Sequence, residues 1–243
     1  MDKRKQVSEL AIKNFSSNEP SPFENLWYDI AQQRTHGKLR KWLKNKINEK
    51  TLILNAGSGG VDYGIKDGTM VHLDIASKLI DMHENYLIAS IDSIPCDNNT
   101  FDVVICVGSV LNYVDITFGI KELCRVLKPS GTLILEFERS NSAEFMFTQN
   151  RHKNVVFCDK RYGNQHHKYW VFNENFVCHA LRHYGMVCKK KSRFHTISSL
   201  ILRITKSEAL AAKFAFLDNC SLLFSYWLSC NVMLYLTKDK IIT

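Results

Sequence analysis

Short apolar runs alternate with helical patterns along the middle of the chain. Strands are predicted where about four to eight apolar residues stand between polar turns, at 51–55, 70–74, 86–91, 102–108 and 131–138. Apolar residues at helical spacing predict helices near 77–84 and 116–127. Strands that alternate with helices favour a parallel sheet covered by helices on both faces, which is an α/β fold.

The two ends of the chain follow other patterns. Residues 1–20 are polar and are expected to be frayed, whereas apolar residues recur at a helical period from Pro22 to about Ile47 and predict a helix. The polar and aromatic stretch 139–172 predicts an inserted cap. Beyond it the pattern predicts a helix, a strand, a helical segment and a last strand, at 173–184, 187–196, 198–217 and 229–237.

The length of 243 residues fits one α/β domain with insertions. We divide residues 1–243 into an N-terminal helical cap, a central core, an inserted cap and the C-terminal half of the sheet with a helical insertion, at 1–48, 49–138, 139–172 and 173–243. An apolar content of 45% supplies a core for such a domain. The formal net charge of +8 favours anionic partners.

The cysteines and the apolar segments indicate the cellular compartment of the protein. None of the eight cysteines forms a CxxC pair, which favours free thiols in a reducing compartment. Residues 1–6 are not followed by the apolar stretch of a secretory signal, and residues 221–236 are short and polar for a membrane span. We expect a cytoplasmic protein. No metal site is expected, because His179, His183 and Cys178 have no fourth ligand nearby in sequence.

A glycine-rich turn, Asn55-Ala-Gly57-Ser-Gly59-Gly60, follows the first predicted strand. Glycines allow backbone N–H groups to approach a ligand closely. A dinucleotide-binding turn would place its third glycine where this chain has Asp62, and the Gly-Lys-Ser/Thr of a phosphate-binding loop is missing. The turn therefore favours a ligand without a phosphate. Asp74 ends the second predicted strand, where a carboxylate can accept hydrogen bonds from the hydroxyl groups of a ribose.

Two further stretches complete the pattern. The first contains Ile94-Pro95 and Phe101-Asp102 before an apolar strand, and the second contains the helix end Arg125-Val-Leu-Lys-Pro-Ser-Gly131. Together with the glycine turn and Asp74, they resemble the class I S-adenosylmethionine (SAM)-dependent methyltransferases, in the small-molecule, methyltransferase-11-like branch. The resemblance covers residues 50–138. It implies a Rossmann-like, mostly parallel sheet of seven strands with a final antiparallel strand and helices on both faces.

The resemblance also implies that the core at 49–138 binds SAM and releases S-adenosylhomocysteine. The glycine turn would line the methionine part, Asp74 would hold the ribose, and Ser90 and Asp92 would lie near the adenine. Two positions depart from the family pattern, because a neutral Asn55 and Ser90 stand where relatives carry acids. The implied cofactor-binding residues are Tyr28, Asn55, Ala56, Gly57, Ser58, Gly59, Asp74, Ile75, Ser90, Ile91, Asp92, Val107 and Gly108.

Methyl transfer requires little more than positioning of the nucleophile and exclusion of water, and positioning alone supplies about 7–11 kcal/mol. A general base is needed only for a nucleophile that arrives protonated. Candidates at strand ends and in the cap are Tyr113, Glu138 and His166. The resulting hypothesis is in-line methyl transfer to a small-molecule acceptor, and the positive charge favours an anionic one. A nucleic-acid methyltransferase and a non-catalytic SAM-binding subunit are the alternatives, the former disfavoured because the chain has no Asp/Asn-Pro-Pro-Tyr sequence.

Overall fold

The computed structural model describes residues 2–17, 26–162, 165–205, 207–219 and 225–239. Nine strands occur in these residues: β1 (Leu52–Ala56), β2 (Thr69–Asp74), β3 (Tyr86–Ile88), β4 (Phe101–Cys106), β5 (Leu127–Glu138), β6 (Val155–Tyr162), β7 (Gln165–Phe172), β8 (Met186–Phe194) and β9 (Asn231–Lys238). The α-helices described are α1 (Lys3–Phe15), α2 (Leu26–Leu43), α3 (Ile116–Val126), α4 (Glu174–His183), α5 (Ile197–Thr205), α6 (Glu208–Lys213) and α7 (Ser225–Leu228).

Seven strands form one sheet in the order β3-β2-β1-β4-β5-β9-β8. The first five strands of the chain are parallel to one another, and β9 pairs antiparallel with both β5 and β8. This arrangement confirms the predicted fold class. Because parallel strands end at the same edge, the carboxyl ends of β1, β2, β4 and β5 meet there, and ligands of open α/β sheets bind at such an edge.

Helices cover both faces of the sheet. On one face α3 buries Ile120, Leu123 and Cys124, and Asp115 caps its first turn by accepting a hydrogen bond from the backbone of Thr117 at 2.8 Å. On the other face α2 packs Leu39 and Leu43 into a second apolar cluster. The central strands β1 and β4 are thereby buried from both sides, which explains why they are nearly continuous apolar runs.

The predicted cap at 139–172 contains a short 3₁₀ helix and the separate antiparallel pair β6–β7. This pair buries Val156, Cys158 and Tyr169 in a small cluster with Phe145. Helix α1 packs against β7. The boundaries of the four segments of the domain remain predictions.

Three helical predictions differ from the structure. Residues 3–15, expected to be frayed, form α1, because Asp2 caps the helix and Val7 and Ala11 are buried one turn apart. The helix predicted at 77–84 is only a 3₁₀ turn, Ser77–Leu79, since Ile80 is the last buried side chain of the segment and residues 81–84 are exposed or half-buried, which leaves too little apolar surface for a longer helix. The segment predicted to be helical at 198–217 is divided between α5, α6 and the 3₁₀ turn Ala215–Asn219. Of the helix predicted at 22–47, residues 22–25 lie outside the described residues, and the structure has α2 at Leu26–Leu43.

Candidate functional site

A cavity of about 350 Å³ opens at the edge of the sheet where β1, β2 and β4 end. Loops that follow these strands and β3 supply much of its wall, at 57–59, 74–75, 89–91 and 107–110. Helices α1 and α2 contribute further lining residues. The cavity therefore lies where the topology of the sheet predicts a ligand.

The glycine turn after β1 is tightly packed. Gly57 has a φ of +72°, and a Cβ atom at this position would lie 2.4 Å from the side chain of Val110. The backbone N–H groups of Gly57 and Ser58 both donate to the carbonyl of Leu73, at 2.7 and 3.1 Å, which ties the turn to β2. Residues 57–68 are all described and contain no helix. The turn thus lacks the helix N-terminus on which a pyrophosphate rests in dinucleotide-binding folds.

Asp74 is buried at the end of β2 and lines the cavity. Its Oδ2 accepts a hydrogen bond from the backbone of Gly59 at 2.9 Å, and its Oδ1 accepts one from the backbone of Ala76 at 3.0 Å. An ionised carboxylate has about four lone-pair positions. The two backbone donors therefore fix the carboxylate in place and leave acceptor capacity for the hydroxyls of a ligand.

Ten of the thirteen predicted cofactor residues line this cavity, although their contact with a cofactor remains a prediction. The other three, Asn55, Ala56 and Asp92, do not line it. Ala56 is fully buried in the core, and Asp92 is half-buried next to the cavity residue Ile91. The lining residues are Tyr28, Gly57, Ser58, Gly59, Asp74, Ile75, Ser90, Ile91, Val107 and Gly108.

Asn55 lies beneath the glycine turn and is completely buried. Its Nδ2 donates to the carbonyl of Val61 at 2.6 Å, and its Oδ1 accepts from the hydroxyl of Tyr63 at 3.3 Å. The amide both donates and accepts at this position, which an ionised carboxylate cannot do because it has no proton to give. This geometry explains the neutral residue where the family pattern has an acid.

Tyr113 lines the cavity at the end of a 3₁₀ turn, Val110–Tyr113. Its ring packs edge-to-face on Phe15 of α1, with the centroids 5.3 Å apart. Its hydroxyl lies 3.5 Å from Nδ1 of His167, a buried histidine on β7. Burial, reinforced by the charge of His166, lowers the pKa of His167, so that a neutral imidazole faces the phenol.

The two other catalytic candidates do not line the cavity. His166 is exposed and pairs with Asp159, because successive residues of β7 point to opposite faces and His167 takes the inward one. Glu138 is half-buried at the end of β5. Its pKa is raised to about 7, mainly by burial. The charge of Lys160 opposes this rise, and the charge of Glu136 adds to it.

Glu136 is a cavity residue that the sequence analysis did not single out. Its buried carboxylate accepts hydrogen bonds from the backbone N–H groups of Gly108 and Ser109, both at 2.6 Å, and from the side chain of Asn231. Burial raises its pKa despite these donors. Its only sequence signal is an acid within an apolar strand. The carboxylate holds the loop after β4, which forms part of the cavity wall.

His195 lies at the end of β8 and also lines the cavity. It is buried, adopts a φ of +55°, and packs its ring on Trp27 with the centroids 4.7 Å apart. Burial lowers its pKa to about 4, and the opposing charges of Asp218 and Arg34 act more weakly. The imidazole is therefore neutral near pH 7.

The described residues contain neither a membrane-spanning helix nor a cluster of three or more potential metal ligands. No described helix is long and apolar enough to cross a bilayer. No group of three His, Cys, Asp or Glu side chains in the described part of the chain is placed to hold a metal ion. All seven described cysteines are free thiols, and Cys220 lies outside the described residues.

Comparison with known proteins finds a similar family model for the core of the chain. Residues 56–135 match a family model described as a methyltransferase domain. An uncharacterized protein of Methanocaldococcus jannaschii is 33% identical over 134 residues, which cover 51% of this chain and 59% of the relative. The 2-phytyl-1,4-naphtoquinone methyltransferase of Trichormus variabilis is 26% identical over 140 residues, which cover 50% of this chain and 61% of the relative. The chain thus spans about three fifths of the length of these two relatives.

Solved structures share the fold at low sequence identity. A putative SAM-dependent methyltransferase from Listeria monocytogenes superposes with a TM-score of 0.62 at 12% identity, covering 86% of this chain and 99% of its own. The 1,6-didemethyltoxoflavin-N1-methyltransferase of Burkholderia thailandensis, solved with 1,6-didemethyltoxoflavin and S-adenosylhomocysteine bound, has a TM-score of 0.54 at 12% identity and covers 98% and 87%. The comparisons confirm the resemblance to class I methyltransferases in the fold and, at the level of sequence, over residues 56–135.

Proposed function

Because residues 56–135 belong to the methyltransferase domain family and the chain has the class I methyltransferase fold, we propose that the protein is a SAM-dependent methyltransferase. It would transfer the methyl group to a small-molecule acceptor by in-line displacement. The observation that carries this proposal is the wall formed by the glycine turn and Asp74. This wall offers a fixed carboxylate for ribose hydroxyls and no helix N-terminus for a phosphate, which fits an adenosyl ligand without phosphates.

The chemistry places modest demands on the protein. Attack of the acceptor on the sulfonium methyl forms the new bond as the S–CH₃ bond breaks, and the sulfur keeps the electron pair. The residues of this chain would therefore act by holding both reactants and excluding water. Where the acceptor arrives protonated, the Tyr113 hydroxyl and the neutral His167 behind it form a path by which a proton can leave.

The acceptor is proposed to be a small organic molecule. The printed name of the Trichormus variabilis relative, a naphtoquinone methyltransferase, supports this class without identifying the molecule. The cavity wall includes residues of α1 and α2 as well as the sheet edge, which suits a compact ligand better than a nucleic-acid strand. A cytoplasmic location remains a prediction.

Binding of S-adenosylhomocysteine tests the proposal. Isothermal titration calorimetry is expected to show binding to the wild-type protein and at least tenfold weaker binding to Asp74→Ala. Asp81→Ala removes an exposed acid that does not line the cavity and should leave the affinity unchanged. Since Asp74 also accepts two backbone hydrogen bonds, circular dichroism must show that the variant is folded, and Asp74→Asn provides a milder change at the same site. Absence of binding to folded wild-type protein would refute the proposed function.

A further inference from the structure

A second cavity of about 350 Å³ lies next to the first, between α2, the end of β8 and the segment 215–218. Ala31, Thr35, Phe194 and His195 line both cavities. The two spaces are therefore neighbours that share these side chains as a partition. A ligand that extends past His195 would occupy both.

Positive charge is concentrated on one side of the second cavity. Arg34, Lys38 and Lys41 occupy positions i, i+4 and i+7 of α2, so they share one face of the helix, and all three line the cavity. Lys38 donates to the hydroxyl of Ser192 at 2.5 Å, and Arg34 donates to the carbonyl of Ala215. No carboxylate within the described residues forms an ion pair with any of these three cations.

The acid at this cavity already has its hydrogen-bond donors. Asp218 is the one carboxylate among the described lining residues, and it accepts bonds from the backbone and hydroxyl groups of Thr196 and Ser198 at 2.6–3.2 Å. A fourth lining cation, Arg193, is neutralised by Glu174 through bonds of 2.9 and 2.7 Å. The cluster of Arg34, Lys38 and Lys41 thus remains available to an anion.

The other walls of the cavity are largely aromatic. Trp27, Trp42, Phe194 and His195 all line it. Two polar ring atoms, Nε1 of Trp27 and Nδ1 of His195, are buried without a hydrogen-bond partner among the described residues. Buried polar atoms without partners are rare in native proteins and call for an explanation. Flat rings with unsatisfied polar atoms suit a planar ligand that carries polar substituents.

We propose that the second cavity binds the distal, anionic end of the acceptor, and that the acceptor is an aromatic carboxylate. Its carboxylate would contact Arg34 and Lys38, and its ring would pack between Trp27 and Phe194, with the methyl-accepting end in the first cavity. This inference rests on the proposed function, because it assigns an acceptor class to the same site. The fork of an arginine suits a carboxylate because it can donate two parallel hydrogen bonds.

A pair of probes that differ in charge tests the inference. The affinities of 2-naphthoate and its neutral analogue 2-naphthamide are measured by calorimetry on the full chain, with and without saturating S-adenosylhomocysteine. We expect 2-naphthoate to bind at least tenfold more tightly than 2-naphthamide. Lys38→Gln and the double variant Arg34→Gln/Lys38→Gln should reduce this preference stepwise and leave naphthamide binding unchanged. Lys44→Gln removes an exposed charge just beyond α2 that lines neither cavity, and it should retain the preference.

The outcomes separate the two proposals. Equal affinity for the two probes, or a preference that survives in the double variant, refutes the anionic site. Displacement of 2-naphthoate by S-adenosylhomocysteine also refutes it, because the probe would then lie in the cofactor part of the first cavity. Failure of the wild-type protein to bind S-adenosylhomocysteine refutes the proposed function, whatever the probes do. Unchanged binding of naphthamide and an unchanged melting temperature show that a variant is folded.

Discussion

Replacement of Glu174 by Gln removes the centre of a buried ion cluster. Glu174 and Arg139 expose only 2% and 0% of their side chains. The Glu174 carboxylate contacts Arg139 at 3.1 Å, Lys191 at 3.0 Å, and Arg193 through two hydrogen bonds of 2.9 and 2.7 Å. These contacts join the N-terminus of α4 to the end of β5 and to β8. Glutamine has the same size but removes the negative charge that contacts the buried guanidinium of Arg139.

The structure indicates a large cost for this change. Removal of one partner of a buried ion pair costs about 3–5 kcal/mol, because the remaining charge is neither hydrated nor paired. Since a domain of this size loses about 2–4 °C in Tm per kcal/mol, we expect Tm to fall by about 10 °C. The pKa of Glu174 points the same way. Burial raises it, but the hydrogen bond from Arg193 and the charges of Arg139, Arg193 and Lys191 together bring it below the usual value.

Urea unfolding monitored by circular dichroism measures the effect at pH 7 and at lower pH. A lowered pKa means that the stabilisation is present above the unfolded pKa of about 4.3 and is lost as pH falls through the folded value. Glu174→Gln should therefore lose part of the acid sensitivity of the wild-type protein. Glu9→Gln is the control, because Glu9 pairs with Lys5 on the exposed surface at 3.8 Å and such pairs contribute at most about 1 kcal/mol. A loss below about 1 kcal/mol for Glu174→Gln would refute the reasoning.

Three further predictions concern residues that line the cavities or lie beneath the glycine turn. Gly57→Ala should lower the Tm more than the control Gly185→Ala does, and it should also weaken the binding of S-adenosylhomocysteine. Both glycines have a φ near +70°, but only at Gly57 would a Cβ atom lie 2.4 Å from a neighbouring side chain. Equal losses in Tm would contradict this reasoning. Asn55→Asp should destabilise the protein by about 1–3 kcal/mol in thermal melts, because the buried carboxylate cannot donate the bond that the amide makes; an unchanged Tm would contradict it. Burial lowers the pKa of His195 to about 4, so the unfolded state binds a proton more readily than the folded state, and the free energy of unfolding should fall by about 3 kcal/mol between pH 6.5 and pH 4. His195→Gln should abolish that part of the acid sensitivity, as measured by urea titrations at both pH values.

The central strands β1 and β4 could be predicted from the sequence because they are buried on both faces. A strand in that position is a continuous apolar run between turns, so its period does not need to be resolved. The helices carry less information. In α1 only Val7 and Ala11 are buried, which is too weak a periodic signal to oppose the polar character of the segment. In the segment 77–84 only Ile80 is buried, which is too little apolar surface to hold a longer helix.

The residues that line the cavity were predicted most completely where they are local in sequence. The turn after β1 and the end of β2 lie close together in the chain and line the cavity together. Glu136 and Asn231 come from adjacent strands that are 95 residues apart, so only the pairing of β5 with β9 brings them together. The choice between His166 and His167 depends on which face of β7 is inward, and two adjacent histidines give no indication of that face.

The N-terminal helices add walls to the cavity, which would otherwise be an open sheet edge. Ser8, Ala11 and Phe15 of α1 and Tyr28 of α2 line the cavity, and Phe15 packs on Tyr113. The matched methyltransferase domain at 56–135 contains none of these four residues. In-line methyl transfer depends on excluding water and on holding the nucleophile in place. The segment that differs most from its sequence prediction therefore supplies the wall on which the proposed chemistry depends.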